Sequence, residues 1–81
     1  MILKIEAYDS QHRIETNWIP GIACVRRFYS DELQSAALHI RFTSESIAPE
    51  IHCITGEDGI YLCNDEGKTV EVISRLNRSH D

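Results

Sequence analysis

Residues 50–74 read Glu50-Ile-His-Cys-Ile-Thr55, Gly56-Glu-Asp-Gly59, Ile60-Tyr-Leu-Cys63, Asn64-Asp-Glu-Gly67 and Lys68-Thr-Val-Glu-Val-Ile-Ser74. Short runs rich in β-branched and aromatic residues, bounded by Gly, Asn and Asp, are typical of strands that are joined by tight turns. The stretch therefore predicts a meander of three antiparallel strands connected by two hairpins.

The turns predict the strand register. Asn64 to Lys68 has the chemistry of a type I turn closed by a left-handed Gly67, which places Asn64 opposite Lys68. The first turn would place Thr55 opposite Ile60. Because successive residues of a strand point to opposite faces, this register predicts a core face made of Ile51, Cys53, Ile60, Leu62, Val70 and Val72.

The other face of this meander is half apolar. A solvated face of an antiparallel sheet is normally polar, so Ile54, Tyr61 and Ile73 need cover. Either the segment from Ser30 to Ile40 or another chain could supply that cover. The second possibility predicts a contact surface made of His52, Ile54, Tyr61, Cys63, Glu71 and Ile73.

The N-terminal half also has a β pattern. Residues 2–8 and 13–19 alternate as two strands around a polar loop, Pro20-Gly21 suits a type II turn, and residues 22–29 form a third β-rich run. Residues 30–43 begin like a helix and end as a strictly alternating strand, which predicts a short helical turn followed by a strand. A full helix from Asp31 to Arg41 is the alternative.

These patterns predict a mainly β fold. We expect one domain over residues 1–76, a small antiparallel sandwich or open barrel of six to seven strands with a short helical turn, and a frayed tail at residues 77–81. The alternative is an α+β fold with one helix packed on an antiparallel sheet.

The composition limits the classes of function. The 81 residues include 13 acidic and 8 basic side chains, a net charge of −5, which disfavours general binding to nucleic acid. No run approaches a membrane span, and the charged N-terminal residues suit neither a signal peptide nor an anchor. We therefore expect a cytoplasmic protein.

Three cysteines, Cys24, Cys53 and Cys63, are an odd number without a CxxC pair, which predicts free thiols in a reducing compartment. The register points Cys53 into the core and Cys63 outward. With His52 these are the only soft-metal ligand candidates near one another in a plausible fold, and their spacing fits no common zinc module. We expect no metal and no other cofactor.

Other constellations do not predict an enzyme. His52 opposite Cys63 could form a thiolate–imidazolium dyad, but a flat sheet face supplies neither an oxyanion site nor a walled pocket. Arg26-Arg27 beside Phe28-Tyr29 could stack on a single strand, although a strand would point the two arginines to opposite faces.

The sequence therefore favours a small non-catalytic protein–protein interaction module. It would act as an inhibitor, adaptor or regulator by masking the surface of another protein or of a second copy, as a homodimer. One alternative is a small-ligand or metal-binding domain that uses His52, Cys63, Tyr61 and Glu71. Another is an acidic anti-defence or DNA-mimic inhibitor from a mobile element, with acidic pairs at Asp31-Glu32, Glu57-Asp58 and Asp65-Glu66.

Overall fold

A computed structural model describes residues 1–76 as seven β-strands without a helix. The predicted mainly β fold is confirmed, whereas the predicted frayed tail lies outside the described residues. None of the described residues belongs to a helix that could span a bilayer. The strands are β1 (Ile2–Tyr8), β2 (Ile14–Ile19), β3 (Ile22–Ser30), β4 (Ser35–Phe42), β5 (Glu50–Cys53), β6 (Gly59–Cys63) and β7 (Thr69–Ser74).

The strands form two antiparallel sheets. The four-stranded sheet has the order β2-β1-β6-β7, and the three-stranded sheet has the order β3-β4-β5. Apolar side chains from the facing sides of both sheets make one buried cluster, so the molecule is a sandwich. This cluster consists of Leu3, Ile5, Ile60 and Leu62 from the larger sheet and Ile22, Leu38 and Ile40 from the smaller one.

Two N-terminal turns follow the sequence pattern. The carboxylate oxygen Oδ1 of Asp9 accepts hydrogen bonds from the backbone N–H groups of Gln11 and Arg13, at 2.8 and 2.9 Å, and so stabilises the β1–β2 loop. Gly21 adopts a φ of 73° after Pro20, as a type II turn requires. This turn takes the chain from the larger sheet to the smaller one.

The segment after β3 is a hairpin turn rather than a helical turn. Ser30 and Ser35 face each other at the end of the β3–β4 ladder, and Gln34 has a φ of 52°. The Ser30 hydroxyl accepts a hydrogen bond from the N–H of Leu33 at 3.2 Å. A serine that begins a helix makes the same type of bond, which explains why this local sequence resembles a helix start.

The predicted hairpin at residues 56–59 is wrong. Strand β5 pairs with β4, and β6 pairs with β1 and β7, so residues 54–58 cross between the sheets. The predicted pairs Thr55–Ile60 and Cys53–Leu62 do not form. Neither Gly56 nor Gly59 adopts the positive φ of the favoured two-residue hairpin turns. The turn-like composition here marks an irregular crossing.

The second hairpin forms, but with a shifted register. The Asn64 N–H donates to the Lys68 carbonyl at 2.9 Å, and Gly67 has a φ of 86°, as predicted. Two irregularities between β6 and β7 then pair Leu62 with Glu71 and Tyr61 with Val72. Each extra residue in β7 moves the side chains beyond it to the opposite face of the sheet.

As a result, β5 and β7 present the opposite faces from those predicted. Ile51, Val70 and Val72 are exposed rather than in the core, with exposed fractions of 51%, 58% and 41%. Ile54 and Ile73, predicted to face outward, pack against the core instead. Only the β6 part of the predicted core face, Ile60 and Leu62, is buried as expected.

Candidate interaction surfaces

The six residues of the predicted contact surface do not share one face. Tyr61 and Cys63, two residues apart in β6, lie on the same side of the larger sheet, but Cys63 is fully buried and cannot contact a partner. His52 is in the other sheet, and its Nε2 is buried without a hydrogen-bond partner among the described residues. Ile54 and Ile73 pack against the core, and exposed Glu71 pairs with the buried Leu62.

A different set of residues surrounds Tyr61. The registers of three strand pairs align Trp18, Lys4, Tyr61 and Val72 in one row across β2, β1, β6 and β7. Lys4 and Tyr61 each lie between two buried residues of their own strands, so they point to the outer side of the larger sheet, and their exposed cross-strand partners Trp18 and Val72 lie on the same side. We call this row, together with Ile14 on β2, the aromatic face.

Lys4 links the two aromatic rings of this face. Its Nζ atom lies 5.4 Å from the centroid of the Trp18 ring and 5.4 Å from that of the Tyr61 ring. A cation within about 6 Å of a ring face is attracted by the ring's quadrupole. No carboxylate among the described residues forms an ion pair with Lys4. The ammonium group is therefore positioned by aromatic rings, with no anionic partner among residues 1–76.

Tyr61 also has a structural role in the aromatic face. Its hydroxyl accepts a hydrogen bond from the Leu76 N–H at 3.2 Å. Its ring covers Gly59, where a Cβ atom would lie 2.8 Å from the ring carbon Cε2. An aromatic side chain that covers a strand glycine replaces the missing packing at that position. These contacts hold the Tyr61 side chain in place within the aromatic face, next to the more exposed Val72.

The exposed part of the aromatic face is apolar. Trp18, Ile14 and Val72 expose 50%, 42% and 41% of their side chains. Scattered exposed apolar residues are normal, but aligned residues on one sheet face form a patch of the kind found at interaction sites. Trp18 and Val72 were not expected on this surface, because apolar residues occur on both sides of β2 and because the β7 register does not follow from the sequence pattern.

The outer side of the smaller sheet has a different character. Arg26 lies opposite His39, and Arg41 lies opposite Cys24, on the side away from the core. Arg26 and Arg41 form no ion pair with any described residue. Arg26, Arg27, Phe28 and His39 line an open depression of about 560 Å³. We call Arg26, His39 and Arg41 the cationic face.

Arg27 has another role. As predicted for a strand, it points to the side opposite Arg26, and its Nη1 donates to the Ile73 carbonyl at 3.1 Å. This bond connects β3 of one sheet with β7 of the other. At most one of these two arginines could therefore take part in stacking on a single strand of nucleic acid, as their opposite orientations in a strand imply.

The structure also separates the remaining candidate groups. His52 and Cys63 lie in different sheets, so the predicted pairing of these two side chains is wrong. All three cysteines are free, but Cys63 is buried while Cys24 and Cys53 are exposed, the reverse of the exposure expected for Cys53 and Cys63. Within residues 1–76, no three His, Cys, Asp or Glu side chains are close enough to hold a metal ion.

The acidic pairs are also divided. Asp65-Glu66 lies in the β6–β7 turn, at the end of β6 opposite to the Glu57-Asp58 crossing that precedes it. The structure does not align them as a continuous acidic row.

No protein-family model, curated protein or solved structure matches this chain.

Proposed function

We propose that this chain is a small non-catalytic protein-interaction module that masks a partner's surface through its aromatic face, as an inhibitor, adaptor or regulator in a reducing cytoplasm. The observation that carries the proposal is the row of Trp18, Lys4, Tyr61 and Val72 across all four strands of the larger sheet. Tryptophan and tyrosine are enriched at interfaces, where a few such residues supply most of the binding energy.

The chemistry of this row specifies the partner. Exposed Trp18 and Val72 flank the less exposed Lys4 and Tyr61, and the Lys4 ammonium has no carboxylate partner among the described residues. The matching partner is therefore a protein whose surface presents apolar side chains around one carboxylate. A carboxylate that meets Lys4 away from water would add orientation as well as affinity.

Two charge substitutions test this surface. Trp18→Glu and Val72→Glu place a carboxylate at opposite ends of the row, and both positions are exposed enough to accept it without unfolding. Tyr29→Glu is the matched control, because Tyr29 is 65% exposed and lies on the other sheet. Proteins captured from the source cells by the wild type would be purified, and their affinities for all four chains measured by calorimetry.

We expect a purified partner that binds the wild type and Tyr29→Glu equally and binds both face variants at least tenfold more weakly. Circular dichroism would establish that each variant remains folded. A partner that binds all four chains with equal affinity would contradict the assignment of the contact surface, as would the absence of any captured protein that rebinds in purified form.

A second candidate function is the binding of an anionic small ligand at the cationic face. It is favoured by Arg26 and Arg41, which lack acidic partners within the described residues although the chain carries a net charge of −5. A thermal-shift screen with phosphate-bearing metabolites would test it. A true ligand would raise the melting temperature of the wild type but not of an Arg26→Gln/Arg41→Gln variant.

A further inference from the structure

The free edge of β2 is less protected than the other three free edges of the sandwich. Strand β5 has only four residues and follows Pro49, β7 has two register irregularities, and β3 has one irregularity and two arginines. Short strands, bulges, charged side chains and proline all hinder pairing of an edge with another strand. Strand β2 is followed by Pro20 and contains one charged residue, Glu15. However, it has six residues, pairs with β1 without irregularity and contains no proline, lysine or arginine.

The outward backbone groups of this edge can be identified. The Asp9 N–H donates to the Arg13 carbonyl at 2.8 Å, which places these two opposed residues at a hydrogen-bonding position of the β1–β2 ladder. In an antiparallel ladder such pairs recur at every second residue. Glu15, Asn17 and Ile19 therefore direct their N–H and C=O groups toward β1. The same groups of Ile14, Thr16 and Trp18 point away from the sheet.

The side chains of this edge are arranged so that two antiparallel copies can pair about Thr16. Ile14 and Trp18, both exposed, lie two residues on either side of it and on the same face. When a second copy approaches antiparallel with Thr16 opposite Thr16, Ile14 of each copy faces Trp18 of the other. Glu15 faces Asn17 on the opposite side of the sheet. Aromatic–β-branched and threonine–threonine pairs are favourable across strands, and this register opposes no like charges.

The two neighbouring symmetric registers are less favourable. Centring the pair on Glu15 places the two Glu15 carboxylates directly opposite each other, which is repulsive. Centring it on Asn17 places Pro20 opposite Ile14, and proline has no N–H group to donate to the ladder. The sequence of this one strand therefore favours a single register.

We propose that two copies of this chain pair through their β2 edges, antiparallel and with Thr16 on the two-fold axis. The two larger sheets become one sheet of eight strands, and their aromatic faces lie on the same side of it. Trp18 of each copy then sits beside Ile14 of the other at the centre of one continuous face. This dimer forms without any foreign partner and can therefore be tested separately from the function proposed above, although both involve Trp18.

Disulfide trapping tests the register. Thr16→Cys, Glu15→Cys and Asn17→Cys would each be made in a Cys24→Ser/Cys53→Ser background, which leaves only the buried Cys63. Hydrogen-bonded antiparallel partners have Cα atoms about 5.5 Å apart, within the range that a disulfide spans. Under mild oxidation we expect Thr16→Cys to form a covalent dimer in several-fold higher yield than the other two. Equal yields, or a maximum at position 15 or 17, would overturn the proposed register.

Light scattering after gel filtration tests the association itself. We expect the wild type to show a concentration-dependent rise from the monomer mass to twice that mass. Thr16→Lys should remain a monomer, because two ammonium groups would meet on the axis. Thr69→Lys, the same substitution on the opposite edge of the same sheet, should still dimerise. A wild type that stays monomeric at high micromolar concentration, or a Thr16→Lys variant that dimerises normally, would overturn the proposal.

The two proposals fail separately. A monomeric wild type that still binds a foreign protein through Trp18 and Val72 would remove the dimer and leave the proposed function intact. A dimer whose aromatic face binds nothing would do the reverse.

Discussion

At the scale of single residues, the need for glycine at position 67 comes from its backbone conformation alone. Its φ is 86°, and a Cβ atom placed there would have nothing within 4 Å. The Asn64 side chain fixes the surrounding turn by accepting hydrogen bonds from the N–H groups of Glu66 and Lys68, both at 3.0 Å. Any penalty for a side chain at position 67 must therefore come from the positive φ itself.

We expect Gly67→Val to lower the free energy of unfolding by about 1–3 kcal/mol, because a β-branched residue is strained at positive φ. Gly67→Asn should cost less than about 1 kcal/mol, because asparagine tolerates this region. Urea titrations of both variants provide the comparison. Equal losses for valine and asparagine would show that the turn relaxes to another conformation.

His52 presents the opposite case, in which the backbone conformation carries no strain but the environment of the side chain is unfavourable for stability. Its Nε2 is buried with no hydrogen-bond partner among residues 1–76, and the residue lies opposite the fully buried Leu38. We expect His52→Leu to raise the free energy of unfolding by about 1 kcal/mol, because an unsatisfied buried polar atom is removed. His39→Leu on the outer side should change it by less than about 0.5 kcal/mol. A destabilised His52→Leu variant would show that His52 has a partner in solution.

At the scale of elements, the two sides of the β2 backbone should respond differently to proline. Thr16 directs its N–H away from the sheet, whereas Asn17 directs its N–H toward Ile5 of β1. Thr16→Pro should therefore cost less than about 1 kcal/mol, because proline is tolerated where the N–H faces away from the sheet. Asn17→Pro removes a ladder hydrogen bond and should cost about 3 kcal/mol. Thermal unfolding of the isolated chain measures both, and a reversed order would invalidate the assignment of outward groups.

Local sequence predicted the elements themselves well. All seven strands, the Pro20-Gly21 turn and the Asn64–Lys68 turn were expected from alternation and turn chemistry, and each is present. These features depend on contacts between residues close in sequence. The alternating strand after Ser30 was also predicted, and only the turn that precedes it, expected to be helical, was assigned the wrong type.

Local sequence did not predict which strands pair. Strand β6 pairs with β1, more than fifty residues away. This pairing places Ile60 and Leu62 in the buried cluster that side chains from both sheets form. The two irregularities of β7 have no glycine or proline to mark them. Because the faces of β5 and β7 followed from these pairings, the candidate site was predicted only at Tyr61, and Trp18, Lys4 and Val72 were missed.

At the scale of the whole molecule, the sandwich provides two outer faces of different chemistry. The larger sheet presents an aromatic row around Lys4, and the smaller one presents Arg26, His39 and Arg41. Within the described residues neither face contains a group of metal-ligating side chains. A scaffold of this size that displays aligned aromatic residues is suited to recognition, because binding needs only a stable surface and a few anchors.

The fluorescence of Trp18 tests the central claim most directly. Trp18 is the single tryptophan of the chain and lies on the proposed contact surface with half of its side chain exposed. Acrylamide quenching would be measured at one fixed concentration of this protein, free and saturated with a purified partner that contains no tryptophan. We expect binding to shift the emission to shorter wavelength and to lower the quenching constant severalfold, because the partner covers the indole ring. An unchanged emission and an unchanged quenching constant in the saturated complex would show that binding occurs elsewhere on the molecule.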